Sequence, residues 1–486
     1  MRWPLAIGMG CSFGFGIACF WLRLSRTTIV AIIALLMLLA GTWQQLVRVD
    51  GYYGNRTPRF AWRWKPTAEQ EVKTYLTSTR SNGNTSLGDE LFQSTRRDFP
   101  GILGTDRMGS IEAVDLATDW SLFQPKLLWR HPVGLGWSSI AIVGNVAIGL
   151  EQRDDNECVV CYELQTGTEI WCHREATRFK HEYGDGPRST PTICEGRVLS
   201  MGATGFLTCL DLCTGELQWS HSVFNDSNQQ NLIFGTTSSP VVIDGQVIVT
   251  PGAGKGASST CYAIDSGEKI WQSGDDPASY ASPMVSNLVG KQQILSFNGE
   301  GLRSYDLDGK PLWLQPWITQ GESRVNVAQP VVVGSDKLGC AEIVISSGYD
   351  RGTALIKVIR EENVWCTEVL WSSKQLKSKL SNVVVHDGFI YGLDNGILTC
   401  LDLADGNRTW KQGRYGHGKI LLVGDKLLIQ AESGDIVLVL ADPKAHRELT
   451  RFQALDNKTW NYPALAGNVL VVRNDREAAA YELPVK

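Results

Sequence analysis

The chain has 486 residues, of which 43% are hydrophobic and 20% are charged, and its formal net charge is −5. This composition is typical of a folded protein, and the length allows one large repetitive domain or two or three ordinary ones. The acidic balance lacks the basic footprint of a nucleic-acid-binding protein, so no nucleic acid partner is expected.

Two apolar runs open the chain, at residues 4–22 and 28–43, with Arg23 and Arg26 between them. The second run has no charge and is close to the ~17 residues of a short spanning helix, so residues 1–43 are predicted to hold one or two transmembrane helices. The positive-inside rule places Arg23 and Arg26 in the cytoplasm and the rest of the chain in the periplasm. The opposite orientation is favoured by four basic residues after the second run: Arg48, Arg56, Arg59 and Arg63.

Residues 44–123 are predicted to be a connector. Within it, the segment PTAEQEVKTYL predicts a short helix, with Thr67 as N-cap and Gln70 as its capping-box partner. Trp62 and Trp64 alternate with Arg63 and Lys65, which indicates a strand or an interfacial segment.

The rest of the chain contains a repeated segment that ends in Trp. CYELQTGTEIW, CLDLCTGELQW and CLDLADGNRTW align without gaps, and CYAIDSGEKIW and SYDLDGKPLW are close variants. The repeat tryptophans are separated by 39 to 58 residues, a period that means a solenoid or a propeller. They are predicted to be structural anchors, each burying ~150–250 Å² against the neighbouring blade: Trp129, Trp171, Trp219, Trp271, Trp313, Trp371 and Trp410.

Eight short apolar strands recur in phase with these segments. Their openings are at Ser139, Thr190, Ser239, Ser282, Gln329, Asn382, Lys419 and Tyr462. Most are followed by a Gly-centred turn and a second strand, which is the hairpin signal. Each unit then holds four short strands, the size of a propeller blade.

The number of strands predicts how the ring closes. After Tyr462 the chain supplies three strands, and the missing fourth is available around Trp129. Sharing one blade between the two chain ends removes a free sheet edge. The sequence therefore predicts an all-β fold over residues 124–486: an eight-bladed β-propeller of four-stranded blades.

The A-x-D-x-x-T-G-x-x-x-W repeat resembles that of the quinoprotein-like eight-bladed propellers, also called the pyrroloquinoline quinone repeat family. Its members include quinone-dependent alcohol dehydrogenases, membrane-anchored bacterial proteins and the propeller lipoprotein of the outer-membrane β-barrel assembly machinery. The resemblance covers residues 124–486 and implies the fold, because the motif is structural in every member. A dehydrogenase of this family is expected to carry adjacent cysteines over the quinone and a calcium site, but no two of the twelve cysteines are adjacent.

The residues just before the inner strands are predicted to crowd one mouth of the propeller channel, on the face opposite the hairpins between second and third strands. Aromatic and hydrogen-bonding groups together suit a ligand or peptide site. Capping of the inner strands is the alternative for the Ser and Thr members of this set. The predicted binding residues are Trp137, Arg188, Tyr280, Gln329, Asn382, His417, Trp460 and Asn461.

Two function classes follow from the sequence. The first is a membrane-anchored periplasmic propeller that binds a protein or a small ligand, with no catalytic residue, metal site or cofactor. The alternative is an alcohol or sugar dehydrogenase dependent on pyrroloquinoline quinone and Ca²⁺. The absence of adjacent cysteines favours the first class.

Overall fold

A computed structural model describes residues 25–486, except 55–56, 80–88, 112–113, 229, 253–255, 322–323, 336–338 and 363. The apolar run predicted at 4–22 lies outside the described residues. The chain divides into two compact units, Met1–Pro66 and Thr67–Lys486.

The described part of the first unit is a helix followed by a hairpin. Helix α1 spans Arg26–Leu46, and Ser25 caps it by accepting a hydrogen bond from the Thr28 backbone N–H at 3.2 Å. By length and composition, α1 is apolar enough to cross a membrane, and it contains the predicted run 28–43. Strands β1 (Val47–Tyr52) and β2 (Pro58–Trp62) then pair in antiparallel register.

The second unit opens with helix α2, Ala68–Thr79, which packs on the strands that follow. The predicted capping box is confirmed: the Thr67 N–H donates to Gln70 Oε1 at 2.8 Å, and the Gln70 N–H donates to Thr67 Oγ1 at 3.3 Å. The ring of Tyr75 stacks on that of His131, with centroids 4.9 Å apart.

Eight sheets follow, and each forms one blade of a propeller. A 3-10 turn (Asp89–Phe92) and strand β3 (Ser110–Ile111) precede them. Blade 1 contains β5 to β8: Ala141–Val143, Val146–Arg153, Asn156–Glu163 and Glu169–Glu175. Blade 2 contains β9 to β12: Thr192–Cys194, Arg197–Met201, Phe206–Asp211 and Leu217–Ser222, followed by helix α3, Val223–Ser227. Blade 3 contains β13 to β16: Val241–Ile243, Gln246–Val249, Ser259–Ala263 and Lys269–Ser273. Blade 4 contains β17 to β20: Met284–Leu288, Lys291–Phe297, Gly301–Tyr305 and Pro311–Pro316.

The remaining blades have the same four-stranded order. Blade 5 contains β21 to β24: Val331–Ser335, Cys340–Ser347, Gly352–Glu361 and Val364–Ser373. Blade 6 contains β25 to β28: Ser378–His386, Phe389–Asp394, Ile397–Asp402 and Arg408–Arg414. Blade 7 contains β29 to β32: Lys419–Val423, Lys426–Gln430, Asp435–Leu440 and Arg447–Gln453. Blade 8 contains β33 to β35 and β4: Ala464–Ala466, Val469–Arg473, Glu477–Glu482 and Lys126–Pro132.

Blade 8 closes the ring. Its fourth strand, β4, comes from the beginning of the second unit and pairs antiparallel with β35, with Ala480 opposite Trp129. The two ends of the propeller chain are thereby held in one sheet, which leaves no unpaired edge between them. The predicted eight-bladed, four-stranded all-β fold is confirmed.

The repeat tryptophans link each blade to the next one along the chain. In six of the seven, the indole Nε1–H donates to a backbone carbonyl of the next blade at 2.8–3.0 Å: Trp129 to Leu164, Trp171 to Leu212, Trp219 to Ile264, Trp271 to Leu307, Trp371 to Leu403 and Trp410 to Asp442. Blade 5 has no acidic-Gly turn to receive Trp313, whose indole donates instead to Gln293 Oε1 in its own blade at 2.9 Å.

The Gly of each acidic turn completes this link. At Gly215, φ is +71°, and an added Cβ would lie 2.5 Å from the ring of Trp171. The repeat therefore requires Gly for two reasons: the backbone conformation and the flat indole packed against it. The Gly of one blade therefore packs directly against the repeat Trp of the preceding blade.

A segment that we call the strap, residues 97–111 and 114–120, crosses one end of the propeller. It contacts successive blades at the end where the first strand of each blade turns into the second. Phe99 forms a bridge with Ile142 of blade 1, β3 pairs parallel with β29 of blade 7, and Leu116 forms a bridge with Val485 beside blade 8.

Arg107 extends from the strap into the channel and is only 6% exposed. Its guanidinium donates to acceptors in three blades: Thr192 Oγ1 at 3.0 Å, Ser239 O at 3.2 Å, Pro283 O at 2.8 Å, and Pro240 O. Burial lowers the pKa of Arg107 to about 9. The strap therefore covers one end of the channel, and its guanidinium fills the channel near the beginnings of the inner strands of blades 3 and 4.

Candidate functional site

The inner strands begin at the other end of the channel, which we call the mouth. The expected position of the mouth relative to the hairpins was wrong. A bridge between Leu135 and Gln152 puts the segment before the inner strand beside the hairpin between β6 and β7. The reason is topological: the second strand runs antiparallel to the first, so it returns to the end where the first began.

A ring of hydrogen bonds joins neighbouring openings. In each bond, the backbone N–H at one opening donates to the side chain at another: Thr190 to Ser239 (2.8 Å), Ser239 to Ser282 (2.8 Å), Ser282 to Gln329 (2.8 Å), Gln329 to Asn382 (2.6 Å) and Tyr462 to Ser139 (2.7 Å). These side chains connect blades to each other.

Four of the eight predicted binding residues are buried. Tyr280 is 7% exposed, Gln329 3%, Asn382 0% and Asn461 1%. Gln329 and Asn382 belong to the ring of openings, and Asn461 Nδ2 donates to Ser138 O at 2.6 Å. Among these four, only Tyr280 contacts the aromatic side chains of the mouth, through the ring of Phe234 at 5.6 Å.

Arg188 is half-buried and is engaged by its own loop. Its guanidinium donates to Gly184 O at 2.6 Å and to Gly186 O at 2.5 Å, and it lies over the Phe179 ring, 4.6 Å from the centroid. Burial lowers the pKa of Arg188 to about 10, against the opposing effect of Asp185. The side chain therefore holds the loop of residues 179–187 in shape.

Trp137 and Trp460 come together at the mouth, with ring centroids 5.0 Å apart. The ammonium of Lys458 lies 4.5 Å from the Trp137 ring and 4.0 Å from the Trp460 ring, and it donates to Tyr183 O at 3.0 Å. Such cation–π contacts contribute ~0.5–2 kcal/mol each, and more when water is excluded. Lys458 is 1% exposed, so these contacts are desolvated.

The two tryptophans continue into a line of aromatic rings that we call the aromatic arc. Neighbouring centroids are 5.0–6.4 Å apart along it. In spatial order its members are Trp137, Trp460, Tyr183, His181, Phe234 and Tyr280. All except Tyr280 are half-buried, which leaves ring surface available at the mouth.

His417 lies at the mouth beside blade 7. Its backbone N–H donates to Glu432 Oε2 at 3.0 Å, and the other carboxylate oxygen of Glu432 accepts from the Trp460 indole at 2.9 Å. Burial lowers the pKa of the His417 imidazole, and the nearby Glu432 opposes this shift. Two residues after His417, Lys419 donates to Leu380 O, and burial lowers the pKa of the Lys419 amine to about 7.

No group of three or more His, Cys, Asp or Glu side chains placed to hold a metal occurs in the described part of the chain. Ten cysteines lie in that part, and each has a free thiol. The repeat cysteines Cys161, Cys209 and Cys400 are fully buried, as small core residues are.

Sequence reasoning missed Lys458 and the loop that carries Phe179, His181 and Tyr183. One signal was present: these three aromatic residues alternate with polar ones in FKHEY, inside a connection between blades that is longer than a turn. Lys458 stands two residues before Trp460, with no pattern of its own to mark it. Of the eight predicted residues, Trp137, Arg188, His417 and Trp460 keep partly exposed side chains at the mouth.

Comparison with known proteins places the propeller among bacterial relatives. A family model described as outer membrane protein assembly factor BamB matches residues 155–412, which is more than half of the chain. The outer membrane protein assembly factor BamB of Yersinia pestis is 22% identical over 348 residues, covering 69% of this chain and 81% of that protein.

Two solved structures have similar folds. BamB from Moraxella catarrhalis matches with a TM-score of 0.54 at 15% identity, over 74% of this chain and 100% of that chain. Quinohemoprotein alcohol dehydrogenase from Comamonas testosteroni matches with a TM-score of 0.58 at 12% identity, over 81% and 82%. At these identities, the likenesses show the fold alone. Because the family model spans more than half of the sequence, the chain belongs to the family of the outer membrane protein assembly factor BamB.

Proposed function

We propose that this chain is a membrane-anchored periplasmic propeller that binds a segment of another protein at its mouth and catalyses no reaction. The observation that carries the proposal is the aromatic arc, with Arg188 and Lys458 beside it, at the end of the channel opposite the strap. Trp, Tyr and Arg are the residue types that dominate binding energy at protein interfaces.

The charges around the arc favour a partner segment with carboxylate and aromatic side chains. Cations lie against aromatic rings at several points of the mouth, and Lys379 lies 5.6 Å from the centroid of the Tyr349 ring. The carboxylate of Glu432 is already engaged by Trp460 and His417. A partner's carboxylate would therefore meet the ammonium of Lys379 and the partly exposed ring edges at the mouth.

The proposed location follows from α1 and from the family. Helix α1 has the length and apolar composition of a membrane span. The family description names an assembly factor for outer membrane proteins, which fits a propeller that faces the periplasm and binds protein.

A quinone-dependent dehydrogenase is the alternative from the sequence, and the groups at the mouth do not favour it. The rings of Trp137 and Trp460 are 5.0 Å apart and tilted by 43°, and the ammonium of Lys458 packs against both, so these indoles leave no space for a flat ring between them. We expect no change in the quinone absorbance when the protein is incubated with pyrroloquinoline quinone and Ca²⁺, and no activity in a dye-linked alcohol assay. Turnover in that assay would replace the scaffold proposal by the dehydrogenase.

Photo-crosslinking in the native membrane tests the binding site. A benzoylphenylalanine placed at Phe234, in the arc, should give a discrete adduct with a partner protein. The same residue placed at Leu122, which is 74% exposed and follows the strap, is the matched control and should give none.

The variant Arg188→Ala separates binding from folding. It should keep the melting temperature within a few degrees and abolish the Phe234 adduct, because the loop that presents His181 and Tyr183 loses its internal bonds. If Arg188→Ala unfolds, Arg188 is structural. If the adduct persists at wild-type yield, or if Leu122 gives it equally, the mouth is not the site.

A further inference from the structure

The hairpin β1–β2 carries a cluster of exposed aromatic side chains at the end of α1. Trp43 is 52% exposed, Phe60 54%, Trp62 41% and Trp64 64%. The rings touch each other: Trp43 lies 6.0 Å from Phe60 and 6.4 Å from Trp62, and Trp62 stacks on Trp64 at 4.7 Å. Large aromatic residues grouped on a surface in this way mark an interaction site.

Strand register puts the cluster on one face of the hairpin. Val47 pairs with Trp62 and Val49 pairs with Phe60, so these side chains point to the same side. Val49 is itself 50% exposed. An isolated two-stranded hairpin is marginally stable in water and needs its apolar face covered. In the described part of this unit these rings remain exposed, so the face is open to whatever surrounds the end of α1.

Arginines fix the hairpin to the end of the helix. Arg63 Nε–H donates to Gln44 O in the last turn of α1 at 3.0 Å, and the Arg63 backbone N–H donates to Leu46 O at 2.8 Å. A cation at a helix C-terminus is favoured by the helix dipole. The aromatic face therefore has a defined position beside the last turn of α1.

Arg48 and Arg59 are also committed to the fold of the hairpin. Arg48 Nη1 donates to Lys65 O at 2.8 Å and Arg48 Nε lies 3.1 Å from Asp50 Oδ1, while Arg59 Nη2 donates to Asp50 O at 2.8 Å. These two arginines thus serve the hairpin's backbone and Asp50. Recognition of the surroundings falls to the aromatic rings.

The length of α1 gives the depth of this face. Its 21 residues extend ~31 Å, which matches the ~30 Å hydrocarbon core of a bilayer. Trp43 lies in the last turn, so the aromatic cluster comes at the boundary between acyl chains and headgroups. Trp is enriched at this boundary because its ring is apolar and its N–H is polar.

We propose that β1–β2, with Trp43 and Trp64, is a foot that lies in the headgroup layer of the bilayer that α1 spans. The occupant of the aromatic face is lipid. This inference rests on the membrane anchoring in the proposed function, because a helix outside a bilayer would give the foot no headgroup layer to enter.

Photoactivatable lipids test the foot in the full-length chain. The protein is reconstituted into phosphatidylcholine vesicles that contain a trace of lipid with a benzophenone on its headgroup, and crosslinked peptides are mapped by mass spectrometry. We expect adducts on residues 43–46 and 58–65. The yield should be the same when a third of the lipid is phosphatidylglycerol, because the arginines are occupied.

Variants separate aromatic contact from folding. Phe60→Ser/Trp62→Ser/Trp64→Ser should lower the adduct yield on 58–65 at least fivefold. Trp62→Tyr/Trp64→Tyr keeps interfacial rings and should retain it. Leu122→Ser/Phe123→Ser, which changes two exposed apolar residues of the second unit, is the matched control and should leave the yield unchanged.

The outcomes distinguish the foot from the anchor. A second lipid with the photoactive group on its acyl chain reports on α1. If α1 is labelled by the acyl probe and residues 58–65 are not labelled by the headgroup probe, the foot is wrong and the anchor stands. If neither segment is labelled, the proposed anchoring fails together with the foot. Wild-type yield in the triple Ser variant also overturns the foot.

Discussion

Arg107, which the strap carries, and the two cations of the mouth, Arg188 and Lys458, make different kinds of contact in one channel. From the strap, Arg107 reaches along the channel and donates to Thr192 in the inner strand of blade 2 and to carbonyls just before the inner strands of blades 3 and 4. At the mouth end, Arg188 and Lys458 donate to carbonyls of a single loop, residues 179–187, and lie against aromatic rings. The bonds of Arg107 therefore hold blades together, as the bonds between neighbouring openings do, whereas the bonds of Arg188 and Lys458 shape a loop. Stability is expected to depend on Arg107, and recognition on Arg188 and Lys458.

Arg107→Met should have the largest effect on stability. The substitution leaves acceptors of three blades unpaired, and each buried unpaired group costs ~1–3 kcal/mol. Relief from burying a cation offsets part of this loss, so we expect the free energy of unfolding to fall by about 3 kcal/mol. Denaturant unfolding followed by Trp fluorescence measures it.

Arg188→Met is the matched control, since both guanidiniums donate to backbone carbonyls and burial lowers the pKa of both. Its bonds stay within one loop, so the free energy of unfolding should fall by less than ~1 kcal/mol, as is usual for a change that breaks no inter-element contact. Equal losses of stability in the two variants would contradict the proposed difference, in which Arg107 holds blades together and Arg188 shapes a loop.

The second prediction concerns the Trp–Gly contacts, which lie at the strap end because the turns between third and fourth strands are there. Gly215 and Gly196 have nearly the same backbone conformation, with φ of +71° and +72°. A Cβ at Gly215 would meet Trp171 at 2.5 Å, whereas a Cβ at Gly196 meets nothing within 4 Å. Gly215→Ala should therefore lower the free energy of unfolding by ~1–3 kcal/mol more than Gly196→Ala, the cost of overpacking. The same loss in both variants would mean that backbone strain alone explains these glycines.

Much of the fold could be predicted because each blade repeats local signals. A turn with Gly, a Trp four residues later and a short apolar strand recur often enough to count eight blades and to place the closing strand at Trp129. The strap could not be predicted in this way. Its contacts, such as Arg107 with Pro283, occur once and join distant residues.

The candidate site was predictable only in part, for a similar reason. Polar openings such as Gln329 and Asn382 have the residue types of a binding site, yet they pair with neighbouring blades. That pairing becomes visible only when the ring is closed. Lys458 and Tyr183 reach the mouth from connecting loops, whose course the repeat does not determine.

A third prediction uses pH to examine the buried amine of Lys419, the first residue of blade 7. Burial lowers the pKa of Lys419 to about 7, while in the unfolded chain a Lys titrates near ~10.4. Between these values the unfolded state binds more protons than the folded state, so stability rises with pH above 7. Below pH 7 both states are protonated and this dependence vanishes.

The variant Lys419→Met isolates this contribution. Between pH 7 and 8, the wild-type free energy of unfolding should rise relative to the variant by up to ~1.4 kcal/mol, the limit for one proton. If the free energies of unfolding of the two proteins change in parallel with pH, Lys419 is charged in the folded protein at pH 8. The channel around Lys419 is then more polar than its contacts indicate.

The smallest effect on stability is expected for Lys458→Met. Methionine keeps most of the length of the side chain and places an apolar group against Trp137 and Trp460. The lost cation–π contacts are therefore partly offset, because no ammonium needs to be buried. We expect the free energy of unfolding to change by less than ~1 kcal/mol, as for a volume-conserving substitution.

In Lys458→Met the bond to Tyr183 O is lost, however, and with it the position of the loop against the two indoles. The photo-crosslinked adduct at Phe234 should therefore fall severalfold in Lys458→Met, while Lys458→Arg, which keeps a cation and a donor, should retain most of it. A stable Lys458→Met protein with full crosslinking would mean that the arc binds without this loop, and recognition would then have to be sought among His417, Lys379 and Tyr349 on the other side of the mouth.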